Sequence, residues 1–295
     1  MTPLLSMGCF GLALLLYGGA TVLFFLEVAR NKGATLGVAP RTDPLLGKAP
    51  ERRVDSRLHI AAALLGGAAV FHATYVTIAS FVAHVCPVHS VHFMLSVASL
   101  LAIAVYLVMR RRFHVDALGI LVAPLGLAFL LGTYFLGKPG PEPKLPSSFI
   151  ALHVMSNLAG VALFLLAGGA AALYLLQEKR IKEKRPSRFA NLPPLAALDH
   201  AVHRFLIAGF PLLTVGIITG TWWARQLESG TPDEVMRIVF GYATWFLIAG
   251  VLLLRAAAGW RGRRSAYGTL AGFACAAAVL VIYLVRPSAA AVVGG

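Results

Sequence analysis

The stretch FIALHVMSNLAGVALFLLAGGAAALYLL, from Phe149 to Leu176, contains no charged residue and decides the fold class. A helix that crosses the hydrocarbon core of a bilayer needs roughly 20 mostly apolar residues, because each residue adds about 1.5 Å along the axis. Transmembrane β-strands instead show short segments in which apolar and polar residues alternate. This continuous run is therefore predicted to be a transmembrane helix.

Comparable runs occur along the whole chain and predict eight spans. Their bounds are Leu4–Ala29, Ile60–Ala83, Val91–Met109, Ala117–Gly137, Phe149–Leu176, Phe205–Ala224, Met236–Leu254 and Tyr267–Val285. Of the 295 residues, 58% are hydrophobic and 13% are charged, whereas soluble domains carry about 25% charged residues. We therefore expect an all-α integral membrane protein, a bundle of eight transmembrane helices in a single polytopic domain, 1–295. The first run lacks a basic segment before it, so it is expected to be a retained span and not a signal peptide.

The net charge is +14, and the cations are concentrated in alternate connections. The connections after the first, third, fifth and seventh spans carry seven, three, seven and four Lys or Arg, against none, two and one in the others. The positive-inside rule places the cation-rich connections in the cytoplasm. Both termini are then expected on the outer, periplasmic side of a bacterial cytoplasmic (inner) membrane. The charge is thus explained by the lipid bilayer, and no nucleic-acid partner is expected.

Nine histidines are the main chemical signal. His72 lies near the centre of the second span, where polar groups are usually functional or hydrogen-bonded to a neighbouring helix. His153 lies at the outer start of the fifth span, and Asn157 and Gly160 share its helix face. Neutral imidazole binds haem iron, zinc or copper, or relays protons. Both histidines are candidate metal ligands.

A third group of histidines lies in the short outer loop and at the start of the third span: His84, His89 and His92. With Cys86 they supply the three or four ligands that zinc requires, and this alternative stays open. The cysteines are Cys9, Cys86 and Cys275 and form no CxxC motif. A thiol relay and covalent haem attachment are therefore excluded.

The depths of the candidate ligands restrict how they pair. On straight helices, His72 lies about 17 Å and His153 about 6 Å from the outer end of its span, a difference of about 10 Å. Axial ligands face each other across one iron atom, so this pair requires a tilted haem or tilted helices. The competing pairs join His153 to the histidines of the outer loop.

The sixth span ends on the outer side with Trp222 and Trp223. Tryptophan at this depth is ordinarily an interfacial anchor, but two adjacent indoles also offer a stacking surface for a planar macrocycle such as haem, and both interpretations stay open. In the same span Gly216 and Gly220 form a GxxxG motif, which predicts close packing against another helix.

The stretch from Leu152 to Phe273 resembles the membrane-embedded cytochrome c assembly family, which includes the CcsA and CcmC haem-handling proteins, and within it the HemX/YpjD-like branch. The matching text is LHVMSNLAGVALFLLAGGAAALYLLQEKRIKEK, then LPPLAALDHAVHRFLIAGFPLLTVGIITGTWWA, then GWRGRRSAYGTLAGF. The eight-span layout extends the resemblance over a core of about residues 60–285.

The resemblance implies haem transport, presentation or binding in cytochrome c maturation, with histidine axial ligands and a tryptophan-rich outer loop. His153 matches the family histidine that precedes this loop, and His72 stands where HemX-like members often carry a second-span histidine. The family's loop is reduced here to Trp222-Trp223 followed by ARQLESGTPDE, and no histidine follows His203.

We expect a binding and assembly factor, not an enzyme, that holds non-covalent, b-type haem at the outer half of the bilayer. The candidate haem-binding residues are His72, His153, Trp222, Trp223, His84, His89 and His92, with His153 and His72 as candidate axial ligands. The expected partner is another cytochrome c maturation subunit or apocytochrome c. The alternatives are a HemX-like regulator of haem biosynthesis acting through cytoplasmic loops and, less favoured, a small-molecule transporter.

Overall fold

The computed structural model describes residues 2–29, 56–82, 90–113, 115–137, 147–183, 193–224 and 232–285. Within these ranges the chain forms eight long helices, one short 3-10 turn at Asp116–Leu118 and no strand. The helices are α1 (Thr2–Ala29), α2 (Ser56–Val82), α3 (Val91–Phe113), α4 (Gly119–Leu136), α5 (Ser147–Glu183), α6 (Leu195–Ala224), α7 (Pro232–Ala257) and α8 (Arg263–Val285). Each is long and apolar enough to cross a membrane, which confirms the all-α, eight-helix prediction.

Two helices extend well beyond the apolar runs that predicted them. α5 continues to Glu183 and not only to Leu176, and α6 begins at Leu195 and not at Phe205. The residues added to α5 are rich in Gln, Glu, Lys and Arg, and those added to α6 include three alanines and two leucines, all of which favour helix. An ion pair also stabilises the end of α5: Lys182 Nζ donates to Glu178 Oε1, four residues earlier, at 2.7 Å. The apolar run therefore marks the membrane-buried part of a helix and not its ends.

The helices form two groups, α1–α4 and α5–α8. The most extensive packing joins α5 to α6, α1 to α2 and α7 to α8, all consecutive pairs. α3 packs against both α4 and α5 and so joins the two groups. Pro124 lies inside α4 and Pro211 lies inside α6, and neither proline ends its helix.

Three glycines of α6 each lie against a large side chain of α5. The pairs are Gly209 with Phe164, Gly216 with Asn157 and Gly220 with His153. The spacing of seven and then four residues along α6 recurs in the opposite direction along α5, as an antiparallel pair of helices in register requires. At Gly160 of α5 the approach is reversed, because an added Cβ there would lie 3.5 Å from the backbone nitrogen of Leu213. The prediction that the GxxxG motif packs closely against another helix is confirmed.

A partly buried carboxylate, that of Asp199, joins α6 to the end of α7 and to the turn between α7 and α8. Arg255 Nη1 and Nη2 donate to the two oxygens of Asp199 at 2.9 and 2.7 Å. The backbone N–H of Gly262 donates to the same carboxylate at 2.9 Å. Gly262 has a φ of +64°, a left-handed conformation that glycine adopts without steric cost. This contact lies at the end of the bundle that carries the cation-rich connections.

We expect Asp199→Ala to lower the free energy of unfolding by about 3 kcal/mol, because it leaves the Arg255 guanidinium buried without its counter-charge. The control is Glu183→Ala, since Glu183 pairs with Lys179 at 3.9 Å in an exposed position and such pairs contribute about 0–1 kcal/mol. Thermal unfolding in detergent measures both, and equal effects of the two substitutions would contradict the structural role of Asp199.

The side of the membrane on which each helix end lies stays a prediction from the loop charges. Alkaline phosphatase needs disulfides that form in the periplasm, so we expect it to be active when fused after Gly137 and inactive when fused after Arg112. The reverse pattern would place the termini, and the outer histidines, in the cytoplasm.

Candidate functional site

His153 lies in the first third of α5, in a slot formed by α6. An added Cβ at Gly220 would lie 2.9 Å from His153 Cε1, so the imidazole occupies the space that a side chain at position 220 would need. His153 Nδ1 lies 2.9 Å from Thr219 Oγ1. α6 therefore surrounds one edge of the imidazole with glycine backbone and a hydroxyl group.

The contacts of Thr219 assign the proton on the His153 ring. Thr219 Oγ1 lies 2.7 Å from the carbonyl oxygen of Val215 and 3.1 Å from that of Gly216. Carbonyl oxygens only accept hydrogen bonds, so the hydroxyl hydrogen points to them and the hydroxyl oxygen accepts from the ring. The hydrogen-bond network thus places the proton on Nδ1 and the lone pair on Nε2.

Asn157 supports the same ring from one turn further along α5. Its Nδ2 donates to the backbone carbonyl of His153 at 2.8 Å and lies 3.4 Å from both ring nitrogens. Its amide group rests against Gly216. The prediction that His153 and Asn157 share a helix face is therefore confirmed. Both side chains pack against glycines of α6.

Trp222 lies in the last turn of α6, one turn or less from Thr219 and Gly220, which contact His153. Its indole is half exposed and meets the ring of Phe149, at the start of α5, with 4.5 Å between ring centroids. An apolar ring at this depth suits both an interfacial anchor and a stacking surface. Trp223 continues the same helix, and its side chain lies outside the described part of the structure.

His72 has a different environment, because both of its ring nitrogens are hydrogen-bonded inside the protein. Nε2 lies 3.0 Å from Ser96 Oγ on α3, and Nδ1 lies 3.1 Å from the hydroxyl of Tyr17 on α1. Ser96 Oγ in turn contacts the carbonyl of Phe129 at 3.2 Å and Thr133 Oγ1 at 2.6 Å. Thr133 directs its own hydrogen to backbone carbonyls.

The directions of the hydrogen bonds around His72 assign its tautomer. Ser96 donates its hydrogen to Thr133 or to the backbone, so it accepts from Nε2–H of His72, and Tyr17 O–H donates to Nδ1. The imidazole has no exposed surface and stands edge-on to the Tyr17 ring, with centroids 5.8 Å apart. In this arrangement His72 joins α1, α2, α3 and α4 and offers no nitrogen to a metal.

A glycine positions Tyr17 for this contact. An added Cβ at Gly126 of α4 would lie 2.7 Å from Tyr17 Cε1, so the tyrosine ring rests directly on the α4 backbone. Tyr17 is fully buried as a result. Each of the two histidines is thus reached through a helix contact that requires glycine.

The remaining candidates are at the start of α3 or beyond the described residues. His92 is partly buried in the first turn of α3, and its ring lies near Gly132 of α4. His84, His89 and Cys86 lie outside the described residues, so the zinc alternative is not addressed by the structure. Within the described ranges, no group of three or more His, Cys, Asp or Glu side chains is placed to hold a metal ion.

The structure places His72 and His153 in different helix groups. The hydrogen-bonding partners of His72 are on α1 and α3, whereas the side-chain partners described for His153 are on α5 and α6. Sequence reasoning missed the residues that settle their roles, Thr219, Tyr17 and Ser96. Thr219 lies inside the GxxxG motif, directly before Gly220, and that position is the one signal that pointed to it.

The comparisons with known proteins agree with this architecture. The model of the family described as cytochrome C assembly protein matches residues 59–289. The chain belongs to the cytochrome c assembly protein family. The HemX/YpjD-like placement within this family stays a prediction.

Curated relatives carry the description cytochrome c biogenesis protein CcsA. The one from Guillardia theta is 29% identical over 201 residues, which cover 59% of this chain and 64% of the relative. The Chlamydomonas reinhardtii protein is 28% identical, with 53% and 45% covered, and the Trichormus variabilis protein 31%, with 61% and 51% covered. The chain thus spans about half to two thirds of these relatives. No solved structure matches it.

We expect His72→Ala to lower the free energy of unfolding by about 2 kcal/mol, because it opens a cavity and leaves Tyr17 and Ser96 without their shared partner. His59→Ala, at the exposed start of the same helix, is the matched control. Thermal unfolding measures both variants. An unchanged midpoint for His72→Ala would show that the chain of hydrogen bonds does not hold α1–α4 together.

Proposed function

We propose that this protein serves cytochrome c biogenesis by binding haem non-covalently at the outer ends of α5 and α6, with Nε2 of His153 as an axial ligand. The observation that carries the proposal is the tautomer of His153, whose Nδ1–H donates to Thr219. Histidines that bind metals almost always donate their other ring N–H to a neighbouring acceptor. The donor set of His153 therefore fits a haem group, and that of His72 does not.

The residues around His153 fit the rest of such a site. The half-exposed indole of Trp222 and the adjoining ring of Phe149 offer flat apolar surface at the outer end of the same helix pair. We assign Trp223 to this surface as well, from its place in the sequence. Bound haem would supply an iron atom with axial positions, and the chain's own residues bind, orient and shield it.

For the second axial position we propose the histidines of the outer loop. His92 begins α3, which packs against α5, and His84 and His89 precede it in the chain. His72 is left out, because both of its nitrogens hold neighbouring helices. The protein then works as a haem-binding and assembly factor of the bacterial inner membrane and not as an enzyme.

A protein that handles haem for cytochrome c maturation requires a recipient for that haem. Haem held at the outer rim would pass to a separate protein. We propose apocytochrome c or another maturation subunit as that partner. Its contact surface would include the outer ends of α5 and α6, next to Trp222.

The test is the visible absorption spectrum of the purified protein after haem supplementation. We expect a Soret band that is lost or shifted in His153→Ala, because the axial nitrogen is removed, and that keeps its position in His72→Ala. His203→Ala, at the opposite end of α6, is the control for general effects of losing a histidine.

Two results would contradict the proposal. A wild-type protein that remains colourless would favour a regulatory role through the cytoplasmic connections. A Soret band that is lost in His72→Ala but unchanged in His153→Ala would move the haem to the α1–α4 group.

A further inference from the structure

We infer that Thr219 of α6 is the positioning residue of His153: it holds the imidazole in the tautomer and orientation that present Nε2 as a ligand. The inference concerns the state of the ring before any haem binds, and it rests on the proposed function only for its purpose. Nothing in the sequence of α5 sets the ring state by itself, because the deciding hydroxyl belongs to another helix.

Toward the His153 ring, the hydroxyl of Thr219 acts only as a hydrogen-bond acceptor. Its hydrogen is held by the carbonyl oxygens of Val215 and Gly216, at 2.7 and 3.1 Å within α6. Its oxygen, 2.9 Å from His153 Nδ1, is left as an acceptor. An acceptor at this position stabilises the Nδ1–H tautomer and disfavours the alternative, in which two lone pairs would face each other. Thr219 is 8% exposed, so water does not substitute easily for the hydroxyl.

The glycine next to Thr219 determines the ring orientation. With 2.9 Å between the site of an added Cβ at Gly220 and His153 Cε1, any larger residue at position 220 displaces the imidazole from α6. The same displacement lengthens the bond to Thr219, because both contacts come from adjacent residues of one helix turn. Thr219 and Gly220 therefore act together, and a movement of α6 relative to α5 would alter both.

Asn157 cannot perform this role. It belongs to the same helix as His153 and donates to the His153 backbone carbonyl at 2.8 Å, while its distance to both ring nitrogens is 3.4 Å. A group that lies at the same distance from both nitrogens does not distinguish between them. The distinction comes from α6.

The experiment measures the His153 tautomer in haem-free protein labelled with ¹⁵N-histidine, by solid-state NMR at a pH of about 8.5, above the ordinary titration range of histidine. The signal is assigned by its loss in His153→Asn. We expect the wild type to carry the proton on Nδ1, Thr219→Val to shift the population toward Nε2–H, and Thr219→Ser, which keeps the hydroxyl, to restore the wild-type signal.

Matched controls separate positioning from general perturbation. Thr77→Val removes a hydroxyl that bonds only a carbonyl of its own helix at an exposed position, and it should leave the His153 signal unchanged. Gly220→Ala should shift that signal, whereas Gly250→Ala, where an added Cβ meets nothing within 4 Å, should not.

The wild-type spectrum decides the inference even if a variant fails to fold, because a wild-type His153 with its proton on Nε2 overturns it. An unchanged signal in folded Thr219→Val overturns it as well. Haem titration is a separate arm: we expect affinity to fall about 10-fold or more in Thr219→Val, as for other residues that orient a metal ligand. If the wild type binds no haem but the tautomer responds as expected, the proposed function fails and the positioning role stands.

Discussion

The close antiparallel contact between α5 and α6 is the constraint on which the rest of the candidate site depends. In a bilayer, burial from water does not drive helices together, so their association relies on dispersion contacts and on hydrogen bonds between them. The glycines of α6 permit dispersion contacts and hydrogen bonds with α5, because without a side chain they let the α5 side chains reach the α6 backbone. His153 is held by this geometry and not by its own helix. A site that seems to consist of one histidine is therefore the product of a helix pair in register.

In the α1–α4 group, a glycine also allows a close contact between two helices, but the histidine there is bonded differently. Gly126 admits the ring of Tyr17 against α4, and the tyrosine hydroxyl then reaches His72. From His72 the hydrogen bonds continue through Ser96 and Thr133, and the Thr133 hydroxyl donates to a backbone carbonyl. A buried polar group that is fully paired stabilises the bundle. The two histidines thus differ in their partners: His72 is bonded on both ring nitrogens, whereas Thr219 of α6 offers an acceptor to Nδ1 of His153.

The fold was predictable because the hydrocarbon core imposes a length and an apolar composition on each helix. The same argument could not locate the helix ends, since α5 and α6 continue beyond the apolar runs into residues that favour helix. The candidate site was predictable in part. His153, Asn157 and Trp222 follow from their positions in their spans, and the GxxxG motif predicted the close packing. Thr219 did not follow, because a threonine in a transmembrane helix ordinarily bonds to its own backbone.

The sequence by itself determined that this chain is a membrane bundle of eight helices, and it predicted candidate ligand histidines at two depths, because composition and periodicity act locally along the chain. It also carried the family resemblance that the comparisons bear out. Only the tertiary structure decided which histidine is engaged on both nitrogens and which is oriented by a neighbouring hydroxyl. That choice depends on distances of about 3 Å between different helices, and such distances follow from the register in which the helices pack.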